Sequence, residues 1–246
     1  MHTNASDGVS DVRAVLDAAR ECRLDVVAIS DHNAIAKAQE AKHLEQEYGV
    51  EVVVAEEVST SQGHCLAYFL TEAVRKGQTL ANTIAAIHAQ GGVAVIAHPY
   101  DPVAFGVLNP WRRKVTAQQL LALDFDGMEV YNACQVGTNA NAKACRLVDG
   151  TDRAMVAGSD AHSAATVGLA VTEFPGNTAD DLRRAFAERT TVPTGRPWTL
   201  PQYLSLFGHR ELRYASVAAS YAVGLCSGAA LAAALALRSG ILRVLD

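Results

Sequence analysis

Ten side chains stand out for the chemistry they could do together: His2, Asp7, Asp31, His32, Glu56, Glu57, His64, His98, Asp160 and His162. All are imidazoles or carboxylates, a donor set that suits divalent zinc, manganese or iron. A carboxylate can bridge two ions. Two ions a few Å apart can hold a phosphate ester, generate a nucleophile from water at neutral pH and stabilise a leaving oxygen. Taken singly, each residue is a weak signal. A lone His after a strand is more often a hydrogen-bonded polar residue than a ligand, and Asp31 could be a helix N-cap. Glu56 and Glu57 are neighbours on one extended run, so they face opposite ways and at most one reaches a shared site. His43, His88 and His209 fall on helical stretches and read as structural or surface residues.

The elements that must carry these residues alternate along the chain. Helical periodicity covers residues 11–22, with Ser10 placed as N-cap, and 34–49, with Gly49 as the stop. Further helices are expected over 79–92, 116–123, 138–150 and 178–189. Apolar, β-branched runs at 25–30, 51–60, 64–70, 93–98, 127–132, 154–160 and 169–174 read as strands, with a turn at Ser61-Gln62-Gly63 joining the second and third. Such alternation predicts an α/β fold with a mostly parallel sheet and helices outside it. The strands lack strict polar–apolar alternation, as expected when both faces are covered. Polar residues gather where these runs end: SDHN after DVVAI, HPY after VAVIA, YN after GMEV, GSDAH after AMVA. In barrel-like α/β folds those ends meet at one face, so residues far apart in sequence converge.

Bulk composition is that of a globular chain: 246 residues, half of them apolar, 19% charged, net charge -5. Mild acidity offers no broad attraction for nucleic acid or anionic lipid, and no stable nucleic-acid complex is expected. The five scattered cysteines include no C-x-x-C pair, which points to a reducing, cytoplasmic setting. No Walker loop or dinucleotide fingerprint occurs.

HTNASDG, AISDHN, AEEVST with SQGH, IAHP, EVYN and GSDAH follow one another in an order and approximate spacing that resemble the PHP (polymerase and histidinol phosphatase) family over about residues 2–196. The resemblance implies a distorted (β/α)7 barrel, two or three divalent ions (Mn, Zn or Fe) and phosphoester hydrolysis by metal-activated water. It implies that His2 is the second His of an opening His-x-His. Asp7, His32 and His162 would serve one outer ion, Glu57 would bridge, and His98 and His64 would serve a second ion. Asp160 matches the Asp of the closing Asp-x-His. Asp31 would orient His32 from behind, and Asn132 or Cys134 falls where some members place a further ligand.

One departure matters. The family's opening motif begins with an Asp-Leu-His at the end of a first strand, and the chain starts at Met1 without it. Two readings compete, a start at an internal Met of a longer protein and a variant with a depleted site; the other ligand positions are intact, which favours the first. Either predicts weaker binding of at least one ion and an open seam in the barrel.

On the substrate side, Arg112, Arg113 and Lys114 follow the HPY loop, and Arg196 lies at the barrel's end. These residues could clamp phosphate or be solvated surface charge. The domain is expected to span 1–198, followed by an Ala-rich helical extension over 199–246. Its stretch 214–237 carries no charge and is long enough to cross a bilayer; it reads either as a membrane anchor and self-association helix or as a hairpin packed on the barrel. The expected activity is hydrolysis of a phosphate ester on a nucleotide, nucleoside bisphosphate or short oligonucleotide 5′-end. His98, His162 and Asp160 are the candidate catalytic groups, with His98 or His162 as proton donor to the leaving oxygen. The alternatives are a histidinol-phosphate-type phosphatase and a non-catalytic, metal-stabilised or membrane-tethered binding module.

Overall fold

The computed structural model describes residues 1–101, 105–109, 114–135 and 138–207. Arg112, Arg113, His209, Cys226 and the apolar stretch 214–237 lie outside these residues. Among the described residues no helix is long and apolar enough to cross a membrane.

Six strands form one curled sheet: β1 (Val26–Ile29), β2 (Glu51–Ser59), β3 (His64–Tyr68), β4 (Val93–Ile96), β5 (Gly127–Asn132) and β6 (Ala154–Gly158), hydrogen-bonded in that order. β1 runs parallel to β2, and β4, β5 and β6 run parallel to one another. β3 is antiparallel to both its neighbours because it follows β2 through the tight turn at residues 60–63. There Thr60 Oγ1 donates to the Gly63 carbonyl and accepts from the Gln62 and Gly63 N–H groups. β7 (Ala170–Glu173) and β8 (Val192–Gly195) make a separate antiparallel ribbon. β8 has no counterpart among the expected strands. Its Val-Pro-Thr-Gly sequence carries no strand signal, and Pro193 is tolerated because the ribbon is an edge.

Helices α1 (Val12–Glu21), α2 (Ala36–Tyr48), α3 (Leu80–Ala89), α4 (Ala117–Leu121), α5 (Ala140–Val148) and α6 (Ala179–Glu188) alternate with the strands as periodicity requires, and α7 (Leu200–Phe207) follows β8. Gly49 ends α2 in the left-handed conformation, φ 68°. The cap of α1 is Asp11, not Ser10: Asp11 accepts from Ala14 N–H, while Ser10 Oγ accepts from Ala164 N–H and ties the first loop to the last ligand-bearing one.

Apolar contacts cover the sheet on both faces. Outside β2–β5, Val58, Ile84, Ile87, Ile96, Met128 and Phe125 pack against the helices. Val12, Leu16, Val27, Ile29 and Val52 form a second cluster under α1 and α2, and Leu66, Val95, Ala97 and Val156 a third with Phe186. Full burial of one such side chain contributes about 1.5–3 kcal/mol. Trp198 and Tyr203 pack with Ala133 and Leu169, so close packing continues past residue 198.

β1 and β6 are the two edges of the sheet. Between them lies a cavity of about 660 Å³, walled by Val26, Val27, Ala28, Val156 and Ala170 and reaching the polar cluster at His2, Glu57 and Asp160.

Candidate metal centre

The N-terminal residues bridge the carboxyl ends of β1 and β6. The Met1 amino group donates to Ser30 Oγ, Ser30 N–H donates to the Met1 carbonyl, and His2 N–H donates to the Ala161 carbonyl. His2, the second residue of the chain, is therefore only 2% exposed. The loop that follows is held by Asp31, which accepts from Thr3 N–H, Thr3 Oγ1 and Ser6 Oγ at 2.7, 2.7 and 2.5 Å. Asp31 thus anchors the segment bearing His2 and Asp7; its hydrogen bonds do not go to His32, the role expected of it. Gly8 permits the tight return, since a Cβ there would collide with the His2 carbonyl.

Around His2 the other groups converge. Its Nε2 stands 3.1 Å from Glu57 Oε2 and 3.3 Å from Asp160 Oδ1, and its Nδ1 3.4 Å from Asp7 Oδ1. Asp7 Oδ2 is 3.2 Å from His162 Nε2 and 3.7 Å from His32 Nε2. Glu57 Oε1 meets His98 Nε2 at 3.1 Å and His64 Nδ1 at 2.5 Å. The five imidazoles follow one another in the order 162, 2, 32, 64, 98, with ring centroids 4.4, 4.7, 5.0 and 5.4 Å apart. His32 and Asp160 thus face one cluster. Glu57 alone of its pair joins it. Glu56 points the other way, where Val74 N–H donates to its carboxylate.

The donor set fits divalent cations. His2–Asp7–His162, His2–His32–Glu57 and Glu57–His64–His98 each place three ligand atoms within 4.8 Å of one another. Nδ1 of His2, His32, His64 and His98 is buried without a hydrogen-bond partner. The short His64–Glu57 approach is no exception, because it lacks hydrogen-bond alignment. Nitrogens buried without aligned partners beside three carboxylates are costly unless a cation lies among them. His162 is set for such a role: its Nδ1–H donates to the Asp160 carbonyl at 2.7 Å, and its Nε2 faces Asp7 Oδ2 at 3.2 Å, where a cation would replace its proton. His98 and Asp160 hold positive φ angles of 23° and 47°, a strain of about 1–3 kcal/mol each that surrounding contacts must hold in place.

Proton affinities follow from the crowding. Burial pushes the His2 imidazole down, but hydrogen bonds with Asp160 and Glu57 outweigh it and raise the ring to about 10. His98 rises to about 10 in the same way through Glu57. Burial works to raise Asp7, Glu57 and Asp160, yet the facing imidazoles hold all three carboxyls below their ordinary range. Burial lowers His32. Cations entering here would displace protons from imidazoles that the carboxylates otherwise keep charged.

Two supports escaped the sequence reading. Glu129 on β5 is buried beside His98; a lone carboxylate in the apolar run GMEV was the available signal. Trp198 sets its ring edge against His162, 6.1 Å between centroids, and donates Nε1–H to the Ser159 carbonyl; nothing in its local sequence marks it. Asn132 donates to Glu129 and Asp160, and Cys134 Sγ accepts from Tyr203 OH. Of the basic residues, Lys114 donates to the Ser61 carbonyl, and Arg196 is exposed with its N–H on the Leu169 carbonyl. His88 pairs with Asp126, a structural contact away from the cluster.

A curled α/β sheet whose strand ends carry an imidazole–carboxylate cluster of metal-ligating type defines the class: a barrel-type α/β protein with a candidate metal centre. The PHP-associated family model matches residues 138–191. The uncharacterized protein MJ1587 of Methanocaldococcus jannaschii is 40% identical over 127 residues, 52% of this chain and 69% of that protein. Protein MJ0417 of the same organism is 29% identical over 61% of this chain, which spans 57% of it. Among solved structures, a two-domain protein from Bacteroides vulgatus containing a predicted PHP-like metal-dependent phosphoesterase superposes with TM-score 0.64 at 15% identity, over 85% of this chain and 67% of that one. PsfC from Pseudomonas syringae gives 0.60 at 17%, over 84% and 92%. The lesion-specific endonuclease PfuEndoQ from Pyrococcus furiosus gives 0.51 at 14%, over 76% and 54%. At these identities the structural likeness is one of fold. The chain belongs to the PHP family.

Proposed function

We propose that this chain is a metal-dependent phosphoesterase. The observation that carries the reading is the sharing of His2 and Glu57 among three ligand triads, so that cations held there would be close neighbours. When bound, divalent ions supply a nucleophile from water at neutral pH and neutralise charge on phosphoryl oxygens. His2, Asp7, His32, Glu57, His64, His98, Asp160 and His162 are the residues that would hold them. The fold likeness to proteins described as metal-dependent phosphoesterases, and to a lesion-specific endonuclease, supports a phosphoester substrate.

The chain's own groups then have distinct tasks. Asp31 fixes the loop that brings His2 and Asp7 into place. Asp160 fixes the tautomer of His162 through its carbonyl. His98, raised to about 10 beside Glu57, and His162, with Nδ1–H on the Asp160 carbonyl, are the chain's groups for protonating the departing oxygen. Asp7 and His32 are the partly exposed members of the cluster, so substrate would approach from their side. The substrate proposed is a nucleotide, a nucleoside bisphosphate or the 5′-end of a short oligonucleotide. A cytoplasmic location belongs to the same proposal, supported by the unbridged Cys22, Cys65, Cys134 and Cys145.

The test is phosphate release from a panel after chelation and reloading with Mn²⁺ or Zn²⁺: nucleoside monophosphates, nucleoside bisphosphates, 5′-phosphorylated oligonucleotides and histidinol phosphate. Metal-dependent turnover of a nucleotide supports the proposal. Turnover of histidinol phosphate alone replaces the substrate class, and tight metal binding with no turnover across the panel leaves a binding module instead.

A further inference from the structure

We infer that Glu129 is a positioning residue that aims His98 and Asp160 at the cation cluster; the inference rests on the metal-centre reading above. Its carboxylate is buried and makes two directed contacts. Oε2 accepts the His98 backbone N–H at 2.8 Å and Asn132 Nδ2 at 3.1 Å. Asn132 Nδ2 also reaches Asp160 Oδ2 at 3.3 Å. One carboxylate thus connects with both strained ligand positions. It satisfies the backbone donor at the positive-φ turn of His98 directly, and it restrains the Asp160 side chain through Asn132.

The strand is built to allow this. Residues three apart on a regular strand face opposite sides, so Glu129 and Asn132 should not meet. Pairing between β5 and β6 passes from Glu129–Val156 to Tyr131–Ala157, leaving Val130 as an extra residue. That bulge turns Asn132 to the face of Glu129. Opposite lies Gly158, where any Cβ would fall on Glu129 Oε1. A bulge, a glycine and a buried carboxylate together serve one geometry.

Co²⁺ titration of the metal-free full chain, followed by visible absorption, tests this. Glu129→Ala should weaken Co²⁺ binding by about 10- to 100-fold, the usual effect of losing a partner that orients a ligand, and change the band shape. Glu129→Gln, which keeps an acceptor for His98 N–H, should restore the native spectrum. Far-UV circular dichroism checks that the variants fold. If Glu129→Ala does not fold, Asn132→Ala removes the Asp160 arm alone and should still alter the spectrum. A native titration and spectrum in Glu129→Ala, or in Asn132→Ala where that stands in, overturn the inference while leaving the metal centre intact. Absence of Co²⁺ binding by the native chain overturns the metal-centre reading, and this inference with it.

Discussion

His2 Nε2 and Glu57 Oε2 lie 3.1 Å apart, joining the start of the chain to the second strand. Between them these two side chains belong to all three candidate ligand triads. The centre therefore depends on a residue from a short N-terminal segment and on one from the sheet, and perturbing either should disable more than one cation position.

Glu57→Gln should abolish binding at two of the three triads. Even outer partners of a metal site cost about 10- to 100-fold in affinity, so the loss of a shared carboxylate should exceed about 100-fold. Metal content after dialysis, measured by atomic emission, and Mn²⁺-dependent phosphate release should fall together. A variant retaining native metal content would remove Glu57 from the centre.

Asp31→Ala leaves Thr3 N–H, Thr3 Oγ1 and Ser6 Oγ without their acceptor. Hydrogen bonds to a charged group contribute about 1.5–3 kcal/mol each, and their loss is not additive. A destabilisation of about 2–4 kcal/mol is expected from urea unfolding of the metal-free protein, with Asp31→Asn in between. If Asp31 acted mainly on His32, stability would hardly move.

Gly8→Ala drives a Cβ into the His2 and Thr3 backbone, which cannot yield as a flexible side chain would. Overpacking of this kind costs about 1–3 kcal/mol, and metal affinity should fall with it because Asp7 and His2 flank the turn. Gly49→Ala is the comparison. It meets open space at φ 68°, so it should cost about 1 kcal/mol from the left-handed backbone alone and leave metal affinity unchanged. Thermal melts with and without Mn²⁺ distinguish the two.

Stability of the metal-free protein should be highest in the mildly acidic to neutral range and fall on both sides; on the acid side His32, lowered by burial, loses its contribution as pH falls below about 6.5. His2 and His98 sit near 10 instead of 6.5, so their contribution is complete below 6.5 and lost as pH rises through about 10. Glu129, pushed up to about 7 from 4.5 by burial, loses its contribution as pH rises through about 7. Asp7, Glu57 and Asp160 are depressed; their contribution is complete above their ordinary values and lost as pH falls toward the folded ones. Urea midpoints of chelator-treated protein across this range check the profile. A midpoint that climbs steadily on the alkaline side contradicts it.

Local pattern was sufficient for much of this. Helical periodicity located α1 to α6 and apolar, β-branched runs the strands β1 to β7, because both are properties of a short stretch of chain. Strand ends marked His32, His98, Asp160 and His162, since polar residues after a buried strand must lie at its mouth. Alternation also separated Glu57 from Glu56, one toward the cluster and the other toward Val74. What tertiary structure decided was the direction of groups whose partners are remote. Asp31 turns to Thr3 and Ser6 because the N-terminal segment lies across the ends of β1 and β6, a placement no local repeat encodes. Glu129 and Asn132 share a face only because the pairing of β5 with β6 slips by a residue. Trp198 reaches His162 only through the ribbon of β7 and β8. The sequence by itself determined which chemistry the chain carries and the ends of the elements that bear it. The register and closure of the sheet decided where those groups point, because aim depends on contacts between segments that meet only when the chain is folded.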